Sequence, residues 1–160
     1  MARGGTPAIV ALNAAGVQYR IHEFEADPAE RHFGKAAALA LGVELERVFK
    51  TLIATVDDRN HVVGIVPVSG QLSLKELAAA VHGKRAEMCP PETAERLTGY
   101  VVGGISPFGQ KRSLPVVIDE TCVLFDSIFV SGGLRGLDIE IAAADLVAML
   151  DAVTAPIGTS

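Results

Sequence analysis

The stretch VFKTLIATVDDRNHVVGIVPV, residues 48–68, decides the fold. Two apolar runs rich in β-branched residues flank the polar tetrad Asp57–Asn60, which is typical of a turn, so the stretch predicts a β-hairpin. Lys50 does not suit a buried strand. Because side chains alternate along a strand, Lys50 shares an apolar face with Leu52 and Ala54, where an ammonium group is costly unless it reaches water or a partner. By itself, this pattern favours a lysine that extends to water from the end of the strand.

Predicted helices and strands surround the hairpin in an irregular order. The first helix begins after Thr6, with Pro7 in its first turn, and ends at Gly16. The alternation in VQYRIHEF, residues 17–24, predicts a half-buried strand with Ile21 on its inner face and His22 on its outer face. Further helices are predicted within residues 27–42 (after a turn), 72–83, 90–99 and 143–153, and further strands within 114–119, 127–132 and 136–142. This order favours a mixed sheet or open barrel wrapped by helices over a doubly wound parallel sheet.

The composition restricts the class of protein. A chain of 160 residues suffices for one domain with a core, and 49% apolar with 21% charged residues is a globular composition. No apolar run approaches the ~20 residues of a membrane span, and the N-terminus lacks a signal-like apolar core, so we expect a soluble, cytoplasmic protein. A net charge of −5 disfavours indiscriminate nucleic-acid binding. Basic residues at Lys84–Arg85, Lys111–Arg112 and Arg135 are interpreted as solvated loop charges, although a local patch stays open.

The familiar catalytic and metal-binding patterns are missing from the sequence. Cys89 and Cys122 form no CxxC pair, which predicts free, partly buried thiols, and no two of the four histidines have the spacing of a zinc site. There is no G-x-S-x-G nucleophile motif. We therefore expect no metal or organic cofactor, and a hydrolase with this sequence would take its nucleophile from water or from the substrate.

The first glycine-rich stretch is TGYVVGGISPFGQKRSLPVVID, residues 98–119. Main-chain N–H groups around Gly103–Gly104 are candidates to bind a phosphate or a developing oxyanion. Gly109 completes the glycine spacing of a P-loop, but Gln110 occupies the lysine position, so the P-loop fails. A tight turn between two strands explains the same residues.

The second glycine-rich stretch is FVSGGLRGLDIEIA, residues 129–142. Its glycines are typical of a hairpin that turns at Gly132–Gly133. In that interpretation Ser131 closes one strand, and Asp138 acts as a turn cap where the next strand begins. The residues alone do not distinguish this hairpin from a ligand-binding loop.

Six blocks of the sequence, in this order, carry a resemblance to a known family: TPAIVAL, EADPAE, HFG, VFKTL, TGYVVGGISPFGQK and VSGGLRGLDIEIAAADL. From about Thr6 to Asp151 the chain closely resembles the YbaK/EbsC family of aminoacyl-tRNA deacylases, and in particular the bacterial Cys-tRNA(Pro) deacylases. The resemblance implies one YbaK-type editing domain over residues 1–160. Its implied fold is α/β (α+β), with a mixed, largely antiparallel, barrel-like sheet surrounded by helices. Related domains occur as editing modules inside prolyl-tRNA synthetases.

The resemblance also implies a set of functional residues. The lysine of the family's F-K-T block is its key functional residue, and here it is Lys50. The implied catalytic residues are Lys50, Gly103, Gly104 and Asp138, and the implied substrate-binding residues are Phe24, Thr51, Ser106, Ser131 and Gly132. One position departs from the pattern: several relatives have a tyrosine where this chain has Phe24, so a hydroxyl group is lost.

The implied activity is the clearance of mischarged Cys-tRNA(Pro), and of Cys-tRNA(Cys), by attack of the substrate's own thiol on its ester. The implied partners are the acceptor end of tRNA(Pro) and prolyl-tRNA synthetase. Two alternatives remain: a water-dependent deacylase for Ala-tRNA(Pro) or another aminoacyl-tRNA, and a non-catalytic tRNA-binding module. A nucleotide-binding function is weaker because the P-loop fails. The role of Lys50 stays open between a phosphate, a ribose and the ester carbonyl.

Overall fold

The computed structural model describes residues 5–27, 29 and 32–159, and this part of the chain contains five α-helices and ten strands. The helices are α1 (Pro7–Ala15), α2 (Phe33–Leu41), α3 (Leu74–Ala80), α4 (Pro91–Thr98) and α5 (Ala143–Leu150). The strands are β1 (Tyr19–Glu23), β2 (Phe49–Val56), β3 (Asn60–Pro67), β4 (Gln71–Leu72), β5 (Ala86–Met88), β6 (Val116–Asp119), β7 (Ile128–Leu134), β8 (Leu137–Ile141), β9 (Val153–Ala155) and β10 (Gly158–Thr159). Short 3₁₀ turns lie at Leu45–Arg47 and Glu120–Leu124. No described helix is both long enough and apolar enough to cross a membrane.

The predicted hairpin forms the centre of the largest sheet. β2 and β3 pair antiparallel from Phe49 opposite Pro67 to Val56 opposite Asn60, in a five-stranded sheet of order β5-β2-β3-β6-β9. β6 and β9 join this sheet in parallel, whereas every other strand pair described is antiparallel. The prediction of a mixed, largely antiparallel sheet is therefore confirmed.

The sheets do not close into a barrel, so the barrel-like description is too strong. A second, three-stranded sheet has the order β1-β8-β7, and β10 pairs with β4 alone. The three-stranded sheet meets β2 through an isolated bridge between Val48 and Phe129. Along the same edge of β2, β5 pairs only with Ala54–Val56. A closed barrel needs continuous pairing around its circumference, and this pairing stops beside the first half of β2.

Helix ends follow the predicted local signals. The Thr6 hydroxyl accepts the Ile9 N–H at 3.3 Å, and Gly16 ends α1 in the left-handed region. Ser73 caps α3 in the same manner. Thr6 also donates its hydroxyl to the Gly132 carbonyl at 2.7 Å, which fastens α1 to β7. The largest apolar cluster lies under α1, α4 and α5, and a second cluster packs α3 against the opposite face of the β2–β3 hairpin.

Three details of the predicted strands are wrong. In β1, which pairs only with β8, Ile21 is 42% exposed, while His22 is half-buried because its ring packs against that of Phe129, with centroids 5.2 Å apart, and contacts Glu140. Gly132 and Gly133 lie inside β7, so the hairpin turns instead at residues 135–136. Asp138 is a buried residue of β8 and not a turn cap.

Local patterns also missed part of the chain. The short strands β4, β5, β9 and β10 are two or three residues long and have no sequence period of their own. The turn predicted before α2 involves Pro28, Glu30 and Arg31, which lie outside the described residues.

Candidate active site

A cleft with a volume of about 420 Å³ opens beside the first half of β2. Its walls are β2, the first turn of α2, residues 102, 103 and 105, and the β7–β8 hairpin. Six of the nine residues predicted for the site line it: Phe24, Lys50, Thr51, Gly103, Ser131 and Asp138.

The cleft exists because the strand that covers one edge of β2 ends early. The Cys89 N–H donates to the Ile53 carbonyl at 3.0 Å, so the main-chain groups of Ile53 point toward β5 and away from β3. Alternate residues of a strand direct these groups to the same side. The N–H and C=O of Thr51 therefore point to the same open side, but β5 pairs with β2 only from Ala54 onward. A free strand edge is thus part of the wall of the cleft.

Lys50 lies in this cleft, which answers the question that its sequence position raises. Its side chain is half-buried, and no described carboxylate forms an ion pair with it. Burial lowers the pKa of the Lys50 ammonium, and the positive charge of Lys35 lowers it further. The structure therefore holds a lysine at an energetic cost, which is typical of a functional residue.

Thr51 and Asp138 are buried polar residues of the same cleft, each 7% exposed. The Thr51 hydroxyl has no hydrogen-bond partner among the described residues. No described residue donates to the Asp138 carboxyl group, and burial raises the pKa of that group to about 7. An unsatisfied buried polar group costs stability, so the Thr51 hydroxyl, with the Asp138 carboxyl group in the same cleft, indicates a site that a ligand completes.

Gly103 allows three segments to meet at one wall of the cleft. Its φ is +93°, and a Cβ there would lie 2.5 Å from Nε of Arg135 and 3.2 Å from the Phe33 ring. The Arg135 guanidinium stacks on that ring, 4.3 Å from its centroid, and donates to the Val102 carbonyl at 3.0 and 3.3 Å. We call this contact of Arg135 with Phe33 and Val102 the arginine latch. Only glycine fits both the backbone conformation and the space.

Neither side chain of the arginine latch was predicted from the sequence to belong to the site. Arg135 was interpreted as a solvated loop charge, and it is exposed, but it also lines the cleft. Phe33 belongs to the HFG block, which carried the family resemblance without a predicted role. That block is the signal that could have identified it.

The other three predicted residues, Gly104, Ser106 and Gly132, are buried but do not line the cleft. The Gly104 N–H donates to the Val101 carbonyl at 2.8 Å, so it is not free to bind an oxyanion. The Ser106 hydroxyl accepts the Phe108 N–H at 3.3 Å. A Cβ on Gly132 would lie 3.0 Å from the Leu137 side chain. These three residues therefore pack in the interior of the protein.

The remaining chemistry of the cleft is limited. The Ser131 hydroxyl accepts the Gly133 N–H at 3.2 Å. Phe24 donates its N–H to the Gly136 carbonyl at 3.0 Å, which brings its ring to the cleft. Cys89 and Cys122 are buried free thiols, of which Cys89 lines the cleft. Within the described residues, no three His, Cys, Asp or Glu side chains are placed to hold a metal ion.

Residues 28–149 match the family described as the aminoacyl-tRNA editing domain, and the chain belongs to this family. The membership confirms the family predicted from the resemblance, together with its class of enzyme, the aminoacyl-tRNA deacylases.

Two proteins of similar sequence and one solved structure are informative relatives of this chain. The chain is 35% identical over 144 residues to the "Putative Cys-tRNA(Pro)/Cys-tRNA(Cys) deacylase EbsC" of Enterococcus faecalis, covering 89% of this chain and 87% of the relative. It is 29% identical over 143 residues to the "Multifunctional Ser/Thr-tRNA deacylase ProXp-y" of Escherichia coli K12, covering 86% and 82%. The crystal structure of "a putative trans-editing enzyme for prolyl tRNA synthetase" superposes with a TM-score of 0.84 at 24% identity, over 96% of each chain.

Proposed function

We propose that this protein is a trans-editing deacylase that removes cysteine from Cys-tRNA(Pro), and also from Cys-tRNA(Cys). The observation that carries the proposal is the composition of the cleft, which holds Lys50, two buried polar side chains and the Cys89 thiol, but no hydroxyl or thiol that is hydrogen-bonded to a base among the described residues. The Thr51 hydroxyl has no partner among the described residues, and the Ser131 hydroxyl is bound to a main-chain N–H. Neither is hydrogen-bonded to a base, as a nucleophilic hydroxyl requires. The relative EbsC, whose name includes both cysteinyl-tRNAs, supports this substrate class.

A cysteinyl ester brings its own nucleophile. In the proposed reaction the substrate thiol loses its proton, and its sulfur attacks the ester carbonyl. The C–S bond forms, the bond from the carbonyl carbon to the ribose oxygen breaks, and that oxygen takes up a proton. The products are a cyclic thiolactone and free tRNA. The protein contributes by holding the sulfur and the carbonyl carbon in contact, which is a proximity effect. It also contributes by rejecting aminoacyl groups that do not fit the pocket.

Each lining residue has a proposed role in this reaction. Lys50, half-buried beside the open edge of β2, orients the ester end and stabilises the negative charge that develops on the carbonyl oxygen. The Gly103 N–H is a second candidate donor to that oxygen. Asp138 and Ser131 receive the α-ammonium group, and the Thr51 hydroxyl and main chain bind the same end of the substrate. An ammonium group near Asp138 would favour its charged form.

Water-dependent cleavage of another aminoacyl-tRNA is the second candidate function. The relative ProXp-y, named for seryl- and threonyl-tRNA, favours it. A hydroxyl attacks an ester less readily than a thiol, so such an enzyme needs a bound water. The neutral form of Asp138, which its raised pKa favours at low pH, is not a base, so this route would be faster at high pH.

We further propose that the reaction takes place in the cytoplasm, where aminoacyl-tRNA is made and used. Prolyl-tRNA synthetase is the proposed partner, because this enzyme mischarges cysteine and because a structure of the same fold is described as a trans-editing enzyme for it.

Deacylation rates test the proposal. We expect wild-type protein to cleave Cys-tRNA(Pro) much faster than Ala-tRNA(Pro) or Ser-tRNA, and Lys50→Ala to lose this activity while it remains folded. Alkylation of the substrate thiol should stop the reaction. Equal cleavage of the alkylated and free substrates would favour the water-dependent candidate. Binding of tRNA without cleavage of any ester would contradict an enzymatic function.

A further inference from the structure

The N-terminus of α2 opens toward the mouth of the cleft. His32 precedes the helix without a side-chain capping bond, and the first helical N–H to bond within the helix is that of Ala36, to the His32 carbonyl. The preceding N–H groups of a helix have no partner inside it and carry its positive dipole end. Gly34 brings this turn against the β2–β3 hairpin, since a Cβ there would lie 2.2 Å from Val68. The cleft is lined by this first turn of the helix.

Two lysines face the same space. Lys35, in the first turn of α2, is exposed, whereas Lys50 is half-buried deeper along β2. Each is without an ion-pair partner among the described residues, and the Lys35 charge is close enough to lower the pKa of Lys50. Glu25 and Asp27 also line the cleft, but neither pairs with a lysine within the described part of the chain. Like charges held together without a counter-ion favour an anionic ligand.

An independent observation also indicates that a ligand enters this cleft. The Thr51 side chain, only 7% exposed, follows Lys50 on the same wall, and its hydroxyl has no partner among the described residues. A buried hydroxyl in this state is completed by a ligand or by water.

We propose that Lys35 and the first-turn N–H groups of α2 bind the phosphodiester that joins the last two nucleotides of the aminoacyl-tRNA. This inference rests on the proposed function, because it assumes that the ester end enters the cleft. The charges of the substrate then match those of the proposed contacts: the phosphate lies beside Lys35 and the N-terminus of α2, and the α-ammonium group lies at Asp138. Lys50, which is more buried than Lys35, is then available to interact with the aminoacyl ester. A helix N-terminus with adjacent lysines is a suitable phosphate site.

The test compares Lys35→Ala with Lys75→Ala, a control in which an exposed lysine of α3 outside the cleft is removed. The substrates are Cys-tRNA(Pro) and cysteinyl-adenosine, which has the same ester but no phosphodiester. We expect Lys35→Ala to lower kcat/KM about five- to tenfold for the tRNA and to have a much smaller effect on the adenosine ester, which Lys35 influences only through the pKa of Lys50. The slope of log affinity against log salt concentration should fall by about 0.7, the value for one contact to a single strand.

A binding measurement separates failure of this inference from failure of the proposed function. The trinucleotide CCA carries the phosphodiester but no aminoacyl ester, so its affinity does not depend on catalysis. Weaker binding of CCA to Lys35→Ala than to wild type and Lys75→Ala, by the same five- to tenfold factor, supports the phosphate site even if no ester is cleaved. Equal affinities overturn it even if cleavage is rapid. Equal loss of activity on Cys-tRNA(Pro) and on cysteinyl-adenosine would also overturn the phosphate site. Lys35 would then act on the cysteinyl-adenosine portion that the two substrates share.

Discussion

Replacement of Gly103 by alanine should destabilise the protein and open one wall of the cleft. The residue has φ +93°, where alanine costs about 1–2 kcal/mol relative to glycine. The new methyl group would lie 2.5 Å from Nε of Arg135, so the arginine latch must open. Its cation–π contact contributes about 0.5–1 kcal/mol at an exposed site, and its hydrogen bonds to Val102 add about 0.5–1.5 kcal/mol. We therefore expect a loss of about 2–4.5 kcal/mol in the free energy of unfolding.

Urea unfolding of four variants separates these contributions. Gly16→Ala is the matched control, because Gly16 also has positive φ (69°) but no atom within 4 Å of the point where a Cβ would lie, so it reports the backbone cost alone. Arg135→Ala removes the arginine latch without backbone strain. In the Arg135→Ala background, Gly103→Ala should cost clearly less than in wild type: the backbone cost that Gly16→Ala reports, plus a small shift of the Phe33 ring, which would still lie 3.2 Å from the new methyl group. If Gly103→Ala costs the same in both backgrounds, the arginine latch is not coupled to Gly103 and our argument is refuted. The activity of Arg135→Ala shows whether this wall also orients the substrate.

Two further predictions concern the buried polar groups of the cleft. For Asp138, burial raises the folded-state pKa from 3.8 to about 7, so the folded protein binds a proton that the unfolded chain has released, and stability should fall as pH rises from about 4 to about 7. Asp138→Asn should remove this fall, as measured by urea unfolding at several pH values; an unchanged profile would assign the pH dependence to other groups. For Thr51, replacement of the unpartnered hydroxyl by the methyl group of valine should leave stability unchanged or raise it by up to about 1 kcal/mol, while kcat/KM for the aminoacyl ester falls. A loss of stability together with unchanged kcat/KM would mean that the hydroxyl has a structural partner and does not bind substrate.

The six residues that the family resemblance placed in the cleft are distributed over four separate segments of the chain. The resemblance identified them because each lies in a recognisable block, such as VFKTL. It also assigned Gly104, Ser106 and Gly132 to the site, although their side-chain positions face the packed interior. A motif lists residues that are needed together, but it does not separate those that contact a ligand from those that pack behind them.

Local signals in the sequence were sufficient for the helix ends and for the central hairpin. Thr6, Gly16 and the turn at Asp57–Asn60 act through bonds and backbone preferences within a few residues, so their effects can be predicted without the fold. The sequence also determined the family, because its blocks occur in a fixed order. Only the tertiary structure decided that β5 stops beside Ala54, leaving a free edge next to Lys50. It also decided that Arg135 reaches Phe33, since such contacts depend on strand pairing and packing between segments that are distant in the chain.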